Sequence, residues 1–146
     1  MTDPFKIIEP TCISFSGGRT SAYMLWRVLQ SNGGKLPEDA IVCFANTGKE
    51  EEATLQFVHD CETNWNVEIH WLEYTSDEPH FKRVNFIAAN RDGTPFEQVI
   101  RKRNYLPNPV TRFCTTELKI RTIHKYLKSI GWKDHIETTD WVGIRA

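Results

Sequence analysis

The chain lacks the features that mark several large classes of protein. Its formal net charge is −1 over 146 residues, so its bulk charge gives no indication of nucleic-acid or membrane binding. It has no apolar run near the roughly 18 residues that a bilayer-spanning helix needs. Its first residues, Met1 to Pro4, lack the basic start and apolar stretch of a signal peptide. These absences predict a cytoplasmic protein that has no membrane partner.

The sequence also lacks the common signatures of metal and redox sites. The 4 cysteines form no Cys-x-x-Cys pair, which disfavours a zinc site or a redox motif. Cys12 and Cys43 lie within apolar runs, where a free cysteine is usually a small buried hydrophobe. The 5 histidines show no tight metal-ligand spacing. We therefore expect reduced thiols and no metal site.

Two familiar phosphate-binding patterns, Gly-x-Gly-x-x-Gly and Gly-x-x-x-x-Gly-Lys-Ser/Thr, are absent as well. A different polar, glycine-containing loop is present from Ser14 to Ser21, with the sequence SFSGGRTS. Gly17 and Gly18 would let the backbone approach a ligand closely. The unpaired N–H groups of the following helix start form an anion site. The loop adds one positive charge and three hydroxyl groups: Arg19, Ser16, Thr20 and Ser21.

The apolar pattern predicts alternating strands and helices. Strands are expected at 11–15, 40–45, 67–74 and 141–144, and helices at 21–30, 50–63, 96–103 and 115–130. The stretch 75–95 is expected to be an irregular loop or insertion over the sheet, and 105–109 a rigid linker. This order predicts an α/β fold: one domain over 1–146, with a Rossmann-like parallel sheet and helices on both faces. The loop from Ser14 to Ser21 would then lie beyond the carboxyl end of the first strand, where such sheets bind ligands.

Four segments, in order, resemble the phosphoadenosine phosphosulfate reductase family, especially its compact phage and bacterial members. This family belongs to the adenine nucleotide alpha hydrolase, or PP-loop, superfamily. The loop SGGRTS resembles its pyrophosphate loop Ser-Gly-Gly-x-x-Ser. The other three segments are FANTGKE from Phe44, RFCTTELK from Arg112 and VGIRA from Val142. The match spans nearly the whole chain.

The resemblance implies an adenine-nucleotide-binding protein with all four segments at one mouth of the sheet. The backbone at Phe44 and Ala45 would hold the adenine edge, and Asn46 to Gly48 would shape the sugar end. Arginine and lysine side chains would surround the phosphates or sulfate. The nucleotide-binding residues expected on this basis are Ser14, Ser16, Gly17, Gly18, Arg19, Thr20, Ser21, Phe44, Ala45, Asn46, Thr47, Gly48, Glu50 and Arg145. The expected catalytic residues are Cys114, Lys119 and Arg112.

The sequence departs from the family at three points. The loop lacks the acidic residue of many ATP-cleaving relatives, which weighs against their magnesium–ATP mechanism. Phe113 stands where iron–sulfur members have a second cysteine, so we expect no iron–sulfur cluster. The chain ends at Ala146, where longer relatives continue into a tail that carries the nucleophilic cysteine of the thiol-dependent reductases. Cys114 is then the remaining candidate nucleophile.

Several functions therefore stay open from the sequence. The chain resembles a sulfonucleotide reductase or sulfotransferase that binds phosphoadenosine phosphosulfate. Alternatives are an ATP α–β phosphate-cleaving enzyme with Mg²⁺, in nucleic-acid modification or phage defence, and a nucleotide sensor without turnover. Family members often pair, which leaves a homodimer open. The basic run Arg101 to Arg103 leaves nucleic acid as a weaker alternative partner.

Individual residues also have plainer interpretations. Without the resemblance, Arg112 and Lys119 would be interpreted as solvated charges beside a helix. Glu50 is equally readable as a helix-dipole partner. Cys114 is either a buried structural thiol or a thiolate activated beside Arg112.

Overall fold

The computed structural model describes residues 5–7, 10–38, 40–103, 116–131 and 144–145. Strands and helices alternate along the first half of the chain. The elements are β1 (Thr11–Ser14), α1 (Arg19–Ser31), β2 (Ala40–Asn46), α2 (Glu52–Asn64), β3 (Ile69–Tyr74), β4 (Phe81–Val84) and α3 (Thr94–Arg103). A π-helical segment, Thr116–Arg121, continues directly into α4 (Thr122–Ser129), and β5 (Ile144–Arg145) follows.

The strands form one mixed sheet in the order β4-β3-β2-β1-β5. β1 pairs in parallel with both neighbours, so that Ile13 lies opposite Val42 on one side and Ile144 on the other. β3 and β4 pair antiparallel, with Trp71 opposite Val84. The predicted α/β class is confirmed, and the sheet is mostly parallel.

The stretch from Thr75 to Pro95 was predicted to be irregular, and this prediction is wrong in part. It contains β4, in which two of the four residues are exposed and charged, Lys82 and Arg83. A four-residue strand of this composition carries no apolar signal in the sequence. Because β4 pairs with β3, the sheet is mixed where an all-parallel one was expected.

The other predicted elements in the described residues are found within about two residues of their expected bounds. α1 ends at Ser31, and the side-chain amide of the next residue, Asn32, donates to the Val28 carbonyl oxygen at 2.6 Å. The predicted helix at 115–130 is present from Thr116, with a π-helical first part. The predicted linker 105–109 and the start of the last strand, 141–143, lie outside the described residues.

The chain divides into two compact units. The first takes its residues from Met1–Phe44, Ala53–His70 and Asp134–Ala146, and the second from Ala45–Glu52 and Trp71–Lys133. The buried side chains of the first unit include Ile13, Leu25, Val28, Val42, Phe44, Leu55 and Val58. Those of the second include Trp71, Leu72, Tyr74, Val99, Ile123 and Leu127.

None of the helices in the described residues is both long and apolar enough to cross a membrane.

The core of the second unit provides a direct test of this packing. Leu72→Ala removes a side chain with no exposed surface, so we expect it to lower the free energy of unfolding by about 2–5 kcal/mol. Ile87→Ala, in the same unit at an 85% exposed position, should change it by no more than about 0.5 kcal/mol. Urea denaturation of both variants checks the pair, and equal effects would contradict the assigned burial.

Candidate functional site

The loop after β1 begins from a fixed point of the sheet. Ser14, the last residue of β1, lies opposite Cys43 of β2 and Arg145 of β5. The Phe15 N–H group then donates to the Cys43 carbonyl oxygen at 2.9 Å, and the Phe15 side chain is buried. The backbone therefore leaves the sheet in a defined direction at Ser16.

Gly17 turns the chain towards α1 and is closely packed. Its φ is +89°, in the left-handed region that side-chain-bearing residues rarely adopt. A Cβ added here would lie 2.8 Å from the Thr54 methyl carbon and 3.3 Å from atoms of Phe44 and Val58. Glycine is thus required at this position by both the backbone and the packing.

The start of α1 is open to an incoming ligand. Gly18 is the N-cap, in an extended conformation, and no side chain of the described residues caps the helix through it. A Cβ at Gly18 would meet only the Ser16 hydroxyl oxygen, at 3.7 Å. The first turn carries no acidic residue, and Arg19 and Thr20 are exposed. The helix dipole and the first-turn N–H groups therefore favour an anion here.

Two of the predicted hydroxyl groups, those of Ser16 and Ser21, are hydrogen-bonded to each other. The Ser16 and Ser21 hydroxyl oxygens lie 2.5 Å apart, and the Ser16 N–H group donates to the Ser21 oxygen at 3.1 Å. Ser21 is fully buried, whereas Ser16 is exposed. Ser21 therefore braces the loop, and Ser16 and Thr20 are the hydroxyl groups on its exposed side.

The turn after β2 is built around a buried asparagine in the second unit. Asn46 has no exposed surface, and its side-chain amide donates to Glu73 Oε2 at 2.6 Å and to the Asn90 carbonyl oxygen at 2.9 Å. Its side-chain oxygen accepts the Gly48 N–H group at 3.2 Å. Both amide hydrogens are thus used within the protein, so Asn46 shapes the turn through its own hydrogen bonds.

Glu73 is the residue of this cluster that the sequence analysis missed. Its side chain is completely buried, and its Oε2 also accepts the Asn90 N–H group at 2.5 Å. The signal was a carboxylate in a strand whose neighbours Trp71, Leu72 and Tyr74 are apolar. We call Asn46, Glu73 and Asn90 the Glu73 cluster.

Asn90 connects the Glu73 cluster to the start of α3. Its side-chain oxygen accepts the N–H groups of Asp92, Gly93 and Thr94 at 3.1, 2.9 and 3.2 Å. The loop before α3, which contains Asn90, also lies close to the turn after β2. A Cβ at Gly48 would lie only 2.5 Å from the Asn90 side-chain oxygen. Gly48 has a φ of +84°, so glycine is required here as at Gly17.

Two of the predicted site residues, 69 positions apart in the sequence, meet in the second unit. Lys119 Nζ lies 3.9 Å from Glu50 Oε1, which also accepts the Thr47 hydroxyl at 3.4 Å. Glu50 lies before α2, which begins at Glu52. Its side chain contacts Lys119 and Thr47. Lys119 is therefore held beside the turn after β2 by an ion pair.

The remaining predicted site residues are placed in different degrees of detail. Phe44 and Ala45 are buried in β2, and Phe44 packs beside Gly17. Arg145 lies in β5 beside the loop start, and only its backbone is described. Arg112 and Cys114, the other expected catalytic residues, lie outside the described residues.

The three described cysteines are buried free thiols. The hydrogen bond with Cys43, followed by burial, raises the pKa of the Cys12 thiol well above its ordinary value. Burial also raises the pKa of Cys61. Thiols with raised pKa values are poor nucleophiles at neutral pH, so Cys12 and Cys61 do not suit covalent chemistry.

A separate apolar groove of about 330 Å³ lies in the first unit between α1 and α2. It is lined by Tyr23, Trp26, Phe57 and Trp65, with Asp60 as its charged residue. A carboxylate repels phosphate, so this groove is a poorer phosphate site than the loop. Within the described residues there is no cluster of three or more His, Cys, Asp or Glu side chains that could hold a metal ion.

The fold and the loop define an α/β protein whose first strand leads through an obligatory glycine into a helix that no described side chain caps. One similar protein is the uncharacterized nin region protein ORF290 of Escherichia phage lambda, 31% identical over 92% of this chain and 47% of its own length. Another is the uncharacterized protein MJ0066 of Methanocaldococcus jannaschii, 29% identical over 96% of this chain and 24% of its own length. The chain thus spans half or less of these relatives. No family model and no solved structure matches it.

The two loop glycines make a matched pair for mutation. Gly17→Ala combines a left-handed φ with a 2.8 Å contact, so we expect it to lower the free energy of unfolding by about 1–3 kcal/mol. Gly18→Ala places its Cβ in open space at an extended φ, so its effect should stay within about 0.5 kcal/mol. Urea denaturation measures both, and a reversed order would contradict the loop geometry.

The ion pair between Glu52 and Arg91 makes a prediction about acid stability. Arg91 donates to Glu52 at 2.6 Å and lowers the pKa of that carboxyl. A lowered folded-state pKa stabilises the protein above the unfolded-state pKa, and this contribution disappears as the pH falls through the folded-state pKa. Because both groups are exposed, Glu52→Gln should lower the thermal midpoint only slightly near pH 7 and not at all near pH 2. Equal differences at both pH values would contradict the pairing.

Proposed function

We propose that the chain binds the phosphates of an adenine nucleotide at the loop from Ser14 to Ser21. The observation that carries the proposal is the start of α1, which is uncapped within the described residues and has no acidic residue in its first turn. Gly17 holds this helix start in place through its packed left-handed turn. Backbone N–H groups arranged in this way bind phosphate without any side-chain base.

The charges of the loop support the same ligand. Arg19 is exposed on the first residue of α1, and Arg145 lies in β5 at the register position opposite Ser14. Both arginines belong to the first unit, whereas the whole chain has a net charge of −1. The exposed Arg19 at this helix start, in a nearly neutral protein, favours a planar or tetrahedral oxyanion.

The choice of an adenine nucleotide rests on the resemblance to the phosphoadenosine phosphosulfate reductase family. In that family the backbone after the second strand holds the base, which here is Phe44 and Ala45, both buried. The following turn carries the same residue types in the same order and is rigidly built around Asn46. The proposal includes the Rossmann-like superfamily fold that this resemblance implies.

The proposal concerns nucleotide binding and does not include turnover. A sulfonucleotide and ATP are both candidate ligands, because the loop recognises phosphate and not the group beyond it. Turnover would require residues such as Arg112 and Cys114, which lie outside the described residues.

Gly18→Val tests the loop directly. The extended backbone and the open space at Gly18 allow the fold to tolerate valine, whereas the added methyl groups would occupy the place of the bound phosphate. Isothermal calorimetry with ATP, adenosine phosphosulfate and phosphoadenosine phosphosulfate should show binding by the original chain and at least tenfold weaker binding by the variant. Circular dichroism checks that the fold is kept. Unchanged affinity in a folded variant would contradict the proposal.

A pair of arginines on α1 separates a local contact from a general charge effect. Arg19 lies on the first residue of the helix, whereas Arg27 lies two turns later, 4.6 Å from the Phe5 ring centre. Arg19→Gln should weaken nucleotide binding about tenfold, and Arg27→Gln should change it less than twofold, although both remove one positive charge. Equal losses in the two variants would mean that the loop does not contact the phosphates.

A further inference from the structure

We infer that Glu73 is a positioning residue for nucleotide binding: it fixes the turn after β2, from Asn46 to Glu50, in the conformation that receives the nucleoside part. This inference rests on the proposed function. Glu73 itself is fully buried and does not contact the ligand. It acts through Asn46, whose side-chain amide donates to it at 2.6 Å.

A buried carboxylate at this position needs a reason beyond stability. Removing a charge from water is costly, and well-packed apolar residues often replace buried charged groups without loss of stability. The neighbours of Glu73 along β3 are apolar and buried, so an apolar residue would suit the site. Lys82 Nζ forms an ion pair with Glu73 Oε1 at 3.8 Å and is itself mostly exposed.

The hydrogen bonds of Glu73 show what the carboxylate does. One oxygen, Oε2, accepts from both the Asn46 side chain at the end of β2 and the Asn90 backbone N–H group in the loop before α3. Asn46 in turn holds Gly48, and Asn90 holds the start of α3. A single acceptor atom therefore fixes the turn after β2 against the loop before α3.

The turn after β2 and the loop before α3 are also closely packed against each other, which leaves the turn little room to move. The Gly48 backbone packs so tightly that a Cβ would lie 2.9 Å from Gly93 Cα as well as 2.5 Å from Asn90 Oδ1. Arg91 extends the contact by pairing with Glu52 at the start of α2. If Oε2 is lost, Asn46 and the Asn90 N–H group lose a shared acceptor, and we expect the turn to shift.

Two substitutions of Glu73 separate hydrogen bonding from charge. Glu73→Gln keeps a carbonyl oxygen that can accept from Asn46 and Asn90, whereas Glu73→Met keeps the approximate shape and accepts nothing. Lys82→Met is the matched control, because it removes the charge facing Oε1 and leaves the hydrogen bonds of the Glu73 cluster intact. Circular dichroism and thermal unfolding establish which variants are folded.

Binding of ATP, phosphoadenosine phosphosulfate and inorganic pyrophosphate is then measured by calorimetry for each variant. Glu73→Met should weaken the nucleotide that the original chain binds at least tenfold while changing pyrophosphate affinity less than twofold, because pyrophosphate needs only the loop. Glu73→Gln and Lys82→Met should bind all ligands within threefold of the original chain.

Each other outcome overturns a distinct statement. If the original chain binds neither nucleotide, the proposed function fails and the inference with it. If it binds and folded Glu73→Met binds equally well, only the positioning role fails. A parallel loss of pyrophosphate in Glu73→Met would mean a general structural effect and would also overturn it. If Glu73→Met does not fold, a tenfold loss of nucleotide affinity in folded Glu73→Gln overturns it.

Discussion

The path of the chain from β1 into α1 depends on the contact of Gly17 with Thr54. Any side chain at position 17 would press against the Thr54 methyl group. Its residue would also have to adopt the left-handed backbone conformation that Gly17 has, which is unfavourable for residues other than glycine. Because the turn is fixed, α1 begins at an exposed position where no described side chain forms a capping hydrogen bond. The bracing of Ser16 by the buried Ser21 adds a second support to the same loop. The proposed phosphate site is therefore a property of the backbone, to which Arg19 adds charge.

In the second unit, the turn after β2 is fixed by side-chain hydrogen bonds. Glu73 and Asn90 hold the turn that follows β2, and the glycine at position 48 is required because the two segments lie in contact. Lys119 joins this turn through Glu50, so a residue near the end of the described chain is brought beside one near its middle. In both units a glycine is fixed by packing and a polar contact defines the neighbouring backbone.

The sequence predicted the elements that have strong periodicity and missed those defined by partners. β1, β2, α1 and α2 follow from apolar patterns in the sequence. β4 was missed because Lys82 and Arg83 leave it without an apolar pattern. It is recognised as a strand only from its pairing with β3. Glu73 was missed because its partners, Asn46 and Asn90, are distant in the sequence and meet it only in the folded chain. The loop was selected from its glycines and the helix start that follows it, and Lys119 through the resemblance, whereas the pairing of Lys119 with Glu50 required the structure.

The most direct test is a crystal structure of the chain grown with ATP or phosphoadenosine phosphosulfate. Our account predicts phosphate oxygens within hydrogen-bond distance of the Gly18 and Thr20 N–H groups, with the Arg19 side chain directed towards them. Nucleotide density at another site, such as the groove beside Trp26, with the loop empty, would contradict the central claim.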